Sequence, residues 1–129
     1  MFNKLLPLLF ALGLATQLPA QSTWYVPDDF STIQAGIDGS SNGDTVIVRD
    51  GTYVENINFN GKAITLKSEN GPVTTTIDGN QAGSVVTIES GEGSDSVFEG
   101  FTVMNGNNTY GGGMFCNSSS PTLENCTFT

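Results

Sequence analysis

The chain has 129 residues, of which 16 are Gly and 2 are Cys, with no His and a formal net charge of −9. That length allows one domain at most. So acidic a surface repels polyphosphate and argues against nucleic acid as a partner, and without His the usual zinc ligand sets are lacking.

The first segment reads as a leader. Lys4 is followed by an apolar run from Leu5 to Ala15 and then by small and polar residues from Thr16 to Ser22. This is the tripartite pattern of a secretory signal peptide. The run is too short to cross a bilayer as a helix, and Pro7 interrupts it. Cleavage could follow Ala20, although Leu18 is large for the position three residues from that cut. Ala20-Gln21-Ser22 fits the small-x-small rule better and makes Ser22 the alternative, and no Cys lies near the cut to carry a lipid. Residues 1–22 are therefore expected to be removed on export. Residues 23–129 are expected to form the body of a secreted or cell-surface protein, with no membrane span in the mature chain.

Trp24-Tyr25-Val26 is a short β-prone run ended by Pro27. A helix is expected next. Ser31 and Gln34 have capping-box spacing, Phe30, Ile33 and Ile37 fall on one face, and Gly39 is placed to stop it. That apolar face is expected to plug the open end of whatever follows.

After Gly43 the texture changes. Short β-prone runs (TVIV, YVENINF, AITLKS, TTTIDG, VVTIES, VFEGFTVMNG, MFC, TLENCTF) alternate with turns rich in Gly, Asn, Asp, Ser and Pro. The runs also repeat. Phe98-Glu99-Gly100-Phe101-Thr102-Val103 matches Leu123-Glu124-Asn125-Cys126-Thr127-Phe128 at an offset of 25 residues (123 − 98). Ile64-Thr65-Leu66-Lys67-Ser68 matches Val86-Thr87-Ile88-Glu89-Ser90 at an offset of 22 (86 − 64). Such offsets suit a coil that winds once and stacks on the next, because one coil cannot bury its own apolar face. The expected inward ladders are Ile64/Val86/Met114, Leu66/Ile88/Cys116, Phe98/Leu123, Phe101/Cys126 and Val103/Phe128. An antiparallel sandwich needs no fixed repeat, and the Leu framework of a leucine-rich repeat is absent.

Two stretches carry a family resemblance. DDFSTIQAGIDGSSNGDTVIVRDGTYVENINFNGKAITLKSENG resembles the N-terminal cap and first coil of pectin-lyase-like proteins. GGGMFCNSSSPTLENCTFT resembles the coils of secreted β-helix repeat proteins. The resemblance covers roughly residues 24–129. It implies an all-β fold, a right-handed parallel β-helix (a solenoid) with a short N-terminal capping helix. It does not imply one activity, since the same cap opens pectin methylesterases, polysaccharide lyases and repeat proteins of no known activity. In the catalytic relatives it implies Asp, Arg or Lys clustered on the outer face of central coils, which here would lie downstream of Thr129.

The chemistry-bearing residues each have a plainer reading. Arg49, Lys62 and Lys67 are expected in the first coil, with Lys67 paired outward to Glu89. Asp44, Asp50 and Asp78 would serve acid–base work only if two faced each other, and turn-forming Asp is the commoner role. Gly91-Glu92-Gly93-Ser94-Asp95-Ser96-Val97 overlaps a calcium nonapeptide but in a single copy, which favours a turn. Cys116 and Cys126 are expected inward on different walls, more as small ladder residues than as a disulfide. Asn107, Asn117 and Asn125 head N-x-S/T sequons, with Asn125 expected inside a strand, and Tyr110 is the exposed aromatic offered for sugar stacking. No residue is assigned a catalytic, cofactor-binding or metal-binding role.

The expected function is a secreted or cell-surface β-helix segment with a structural or binding role, with polysaccharide as the partner and no catalysis in this segment. The alternatives are the N-terminal part of a polysaccharide lyase, pectin esterase or glycoside hydrolase, and a β-helical adhesin. The chain stops at Thr129 inside a strand, so edge-to-edge self-association of this segment is also expected.

Overall fold

The structure, a computed structural model, describes residues 20–129. The leader assigned to residues 1–22 therefore lies, but for its last three residues, outside the described residues. The elements in chain order are β1 (Thr23–Val26), α1 (Ile33–Gly39), β2 (Thr45–Val48), β3 (Gly51–Val54), β4 (Ile57–Asn58), β5 (Thr65–Ser68), β6 (Thr75–Asp78) and β7 (Val86–Ile88). Then come β8 (Val97–Glu99), β9 (Thr102–Met104), β10 (Met114–Cys116), β11 (Thr122–Glu124) and β12 (Thr127–Phe128).

Every strand pairing is parallel. Sheet A has the order β1-β2-β5-β8-β11, sheet B β12-β9-β6-β3, and sheet C β10-β7-β4. The chain visits A, B and C in turn and then returns to A, so the described residues form an all-β parallel β-helix with one short helix ahead of β2. The coils span 45–64, 65–96 and 97–121, and a fourth begins at Thr122. Among the described residues no helix is long and apolar enough to cross a membrane.

Alternation makes the core. Val46, Val48, Leu66, Phe98, Ile77 and Val103 point inward with no exposed surface, and their strand neighbours point out. Phe98 and Phe101 stack with ring centroids 4.8 Å apart, turning the corner between sheets A and B inside the coil. At that corner Gly100 has φ +82°, and Asn125 holds φ +49° at the equivalent place one coil on. Asn tolerates this left-handed region better than other non-Gly residues, so Gly and Asn exchange there in the repeat. Asn125 therefore sits at a corner between β11 and β12, not inside a strand as its sequence context suggested.

The cap is built differently from the capping box read in the sequence. Thr32, not Ser31, is the N-cap, and its side chain accepts from the Ala35 N–H at 3.1 Å. Two further N–H groups of the first turn, those of Ile33 and Gln34, donate to the Glu55 carboxylate at 2.8 and 3.0 Å. Gln34 is thereby free to lie along β4: its Oε1 accepts from the Asn58 N–H at 2.8 Å and its Nε2 donates to the Asn58 carbonyl at 3.0 Å. One side-chain amide thus satisfies an edge-strand peptide that has no strand above it. Gly39 is the last helical residue, and Ser40 is the C-cap. A Cβ at Gly39 would come within 2.4 Å of the Phe30 ring, so close packing of Phe30 explains the glycine. Ile33 and Ile37 are fully buried over the first coil. Each contributes about 1.5–3 kcal/mol by leaving water.

Register confirms one of the two repeats and corrects the other. Leu123 pairs with Phe98 and Phe128 with Val103, as the offset of 25 predicts. Met114 pairs with Val86 and Cys116 with Ile88. Ile64 and Leu66 do not stack on Val86 and Ile88. Leu66 lies between Val46 and Phe98 in sheet A, whereas Val86 lies between Ile57 and Met114 in sheet C. The offset of 22 had matched strands on two walls of the same coil. Strands on every wall share the same in–out alternation, so their local patterns look alike.

Candidate functional site

At the corner where sheet C returns to sheet A, the turns ahead of β2, β5 and β8 lie side by side. Here the chain must bury polar turns against the cap. Asp44 is the anchor. Its carboxylate accepts from the Ser22 N–H at 2.9 Å, the Trp24 indole N–H at 3.1 Å and the Ser41 N–H at 3.0 Å. The Ser41 and Ser22 amides, with the Trp24 indole, hold its carboxyl below the usual range. Glu92 fastens the same corner further along the stack. It is buried, and accepts from the N–H groups of Ser90 at 2.6 Å and Gly61 at 3.1 Å and from the Ser119 hydroxyl at 3.0 Å. Burial pushes the Glu92 carboxyl up, but hydrogen bonds from its own and neighbouring amides outweigh that and leave it lowered. Its three outside donors belong to three successive coils.

Beside these clamps runs an open groove of about 620 Å³. Its polar walls are Gln21, Asn42, Asp44, Thr45, Thr65, Ser94 and Asp95, with Gly43, Ala63 and Val97 completing the lining. Thr45, Thr65 and Val97 stand in register on successive strands of sheet A and face outward. The groove therefore crosses three coils along the stacking direction. No cation and no aromatic side chain lines it. Hydroxyls and amides both donate and accept, so the wall suits a hydroxylated, uncharged ligand.

Among the described residues the three cations are engaged elsewhere. Lys62 Nζ donates to the carbonyls of Ile37, Asp38 and Ser40 at 2.6–2.7 Å, a positive charge on the C-terminal end of α1. Arg49 grips both oxygens of Asp28 at 2.9 and 3.0 Å, pairs with Glu69, and lies 4.6 Å over the Tyr25 ring. The hydrogen bond from Arg49 lowers the Asp28 carboxyl. Lys67 is on β5, the first strand of the second coil. It meets Glu99 at 3.8 Å, not Glu89, because β5 stacks on β8.

The acidic residues weighed for acid–base work are not brought together. Asp44 and Asp50 sit at opposite ends of β2. Asp50 accepts from Asn70 and from the Thr74 hydroxyl, and Asp78 from the Asn80 N–H and Asn105 Nδ2. In the run from Gly91 to Val97, Glu92 points in and Asp95 out. Among the described residues no group of three or more His, Cys, Asp and Glu is placed to hold a metal ion. Cys116 and Cys126 are both free, the first exposed on sheet C and the second half-buried at the corner between sheets A and B. Cys116 keeps its ladder position on Ile88. Tyr110 is 85% exposed but stands on the loop between sheets B and C, at a different corner from the groove.

Of the groove residues, sequence reasoning singled out Asp44, and reached Ser94, Asp95 and Val97 only within the calcium-like run. Glu92 and Glu55 were missed as clamps. The available signal was a carboxylate between two glycines, or in an otherwise neutral turn, with no cation nearby in sequence. Comparison with protein-family models, with curated proteins and with solved structures gives no match for this chain.

Proposed function

We propose that this chain is an exported or cell-surface β-helix with a binding role and no catalysis in the described coils, and that its groove takes a neutral polysaccharide. The observation that carries this is the groove beside Asp44. It crosses three coils, is lined by hydroxyl and amide groups, and has no cation in its lining. A uronate polymer would bring carboxylates towards Asp44 and Asp95 in a protein of net charge −9, with Arg49, Lys62 and Lys67 already occupied. Export rests on the pattern of residues 1–22. Cleavage after Ala20 would retain Gln21 in the groove wall and the Ser22 N–H on Asp44.

The test is affinity gel electrophoresis of the protein in gels containing a neutral β-glucan or polygalacturonate, alongside a turnover assay on both. The neutral polymer should retard the protein, and Thr65→Arg should abolish the retardation without changing the melting curve. Stronger retention by polygalacturonate, turnover of either polymer, or no retention by neutral glycans would each sink the reading.

A further inference from the structure

We propose that Asn105–Gly106 is the place where this chain deamidates spontaneously, and that the fold guards its other Asn-Gly sequences. Asn42, Asn60, Asn70 and Asn105 each precede a glycine. In this reaction the backbone nitrogen of the following residue attacks the Asn side-chain carbonyl carbon. The new N–Cγ bond closes a succinimide, and the side-chain nitrogen leaves as ammonia with the proton shed by the backbone amide. Solvent water then opens the ring to aspartate or isoaspartate. An amide and a water become a carboxylate and an ammonium ion. Glycine favours the attack because it has no Cβ to obstruct it.

Attack requires the glycine N–H to lose its proton and its nitrogen to swing towards Cγ. A hydrogen bond from that N–H opposes both. The Gly43 N–H donates to the Ala63 carbonyl at 2.8 Å, the Gly61 N–H to Glu92 Oε2 at 3.1 Å, and the Gly71 N–H to Ser68 Oγ at 3.0 Å. Among the described residues the Gly106 N–H has no acceptor. The groups on either side are held, the Asn105 carbonyl accepting from the Gln81 N–H and the Asn107 N–H donating to the Gly83 carbonyl, both at 2.8 Å, so the Gly106 N–H is the free donor of this turn.

The product would not fit the present fold. Asn105 Nδ2 donates to Asp78 Oδ1 at 3.0 Å, so a carboxylate at position 105 replaces that donor with a like charge. Isoaspartate also lengthens the main chain. At Gly106 even a Cβ would stand 1.9 Å from the Gly112 carbonyl oxygen. Either product should loosen the loop that carries Tyr110.

The test is incubation of the full chain at mildly alkaline pH with peptide-resolved mass spectrometry. In the folded protein, conversion at Asn105 should outrun that at Asn42, Asn60 and Asn70 by about tenfold, the rate equivalent of one hydrogen bond of about 1.4 kcal/mol broken before attack. In concentrated urea the four rates should converge, since each Asn then precedes Gly in an unfolded chain. Ser68→Ala removes the acceptor of the Gly71 N–H and should raise conversion at Asn70 while Asn42 and Asn60 stay slow. Folded Asn42, Asn60 or Asn70 converting as fast as Asn105 would overturn the proposal, as would an Asn70 rate unmoved in folded Ser68→Ala. The wild-type comparison stands even if that variant does not fold.

Discussion

Two corners of the coil solve the same packing problem with different chemistry. Where sheet C returns to sheet A, the turns are fastened by buried carboxylates: Asp44 gathers three donors near the cap, and Glu92 gathers donors from three coils. Where sheet B passes to sheet C, Glu55 in the first turn holds the cap, but the later turns are fastened by main chain at glycines. Gly79 packs against Val85 and the Asn105 carbonyl, Gly106 packs on Gly112, and the Gly111 carbonyl accepts from Ser84 Oγ at 2.6 Å. A carboxylate clamp needs its donors at fixed places, so the groove floor beside it is regular across coils. Backbone-on-backbone contact needs only the absence of a side chain, and that corner tolerates loops as unequal as 55–56 and 105–113. The groove follows from the first solution and the projecting loop from the second.

The sharpest way to break this contrast is at Glu92. Glu92→Ala leaves the Gly61 and Ser90 amides buried without their acceptor, and should cost about 3 kcal/mol, read as a lower urea midpoint with unchanged slope. The pH dependence gives a second readout. Asp44 and Glu92 both have lowered pKa values in the fold, so folding favours their ionised forms. Their stabilisation is complete above the ordinary carboxylate range and is lost as pH falls through the lowered folded values. The native protein should therefore weaken in acid, and Glu92→Ala should lose less stability over the same pH interval. An acid limb of equal steepness in both proteins would mean that Glu92 is not a working clamp.

At the other corner the corresponding change is Gly79→Ala. The added methyl would lie 2.6 Å from Val85 Cγ2 and 2.9 Å from the Asn105 carbonyl oxygen, and the backbone atom cannot simply rotate away. Overpacking of this kind costs roughly 1–3 kcal/mol. Because no ionisable group is removed, the loss should be the same at pH 4 and pH 7. A loss that grows or shrinks with pH would show that the two corners are not chemically distinct.

Much of this was legible in the sequence, and the reason lies in range. Alternation in TVIV and VVTIES, the apolar face of Phe30, Ile33 and Ile37, and the turn residues between runs are all set by contacts within a few residues. They gave the strands, the cap and the coil. Three runs, YVENINF, VFEGFTVMNG and TLENCTF, each hold two strands, and the corner inside the last two is marked only by a single Gly or Asn. Which strand stacks on which was legible for the last coils, where loops match in length, and misread for Ile64 and Leu66. The second coil carries the extra turns 69–74 and 79–85, so similarity and stacking diverge there. The groove and its clamps were the least legible. Thr45, Thr65 and Ser94 are brought together by winding alone, and Glu92 meets Gly61 and Ser119 only across coils.

The smallest expected effect is a gain, at the one place where the fastening fails. Inward polar groups near the corners are otherwise satisfied: the Ser40 hydroxyl donates to the Gly36 carbonyl at 2.6 Å, that of Ser96 to the Lys62 carbonyl at 2.8 Å, and that of Ser68 to the Gly100 carbonyl. Thr75, fully buried on β6 opposite Gly51, is the exception among the described residues, because its hydroxyl has no partner. A buried hydroxyl that gives up water without a replacement bond costs free energy, so its removal should be favourable. Thr75→Val keeps the β-branched shape that suits a strand and exchanges the hydroxyl for a methyl of similar size. Stability should rise by about 1 kcal/mol, with no change in acid sensitivity, since no charge is involved. Thr75→Ser is the control: it keeps the orphan hydroxyl, removes a buried methyl and should lose stability. If Val destabilises while Ser is neutral, the Thr75 hydroxyl has a partner in solution, and that wall of the coil is fastened by a polar contact after all.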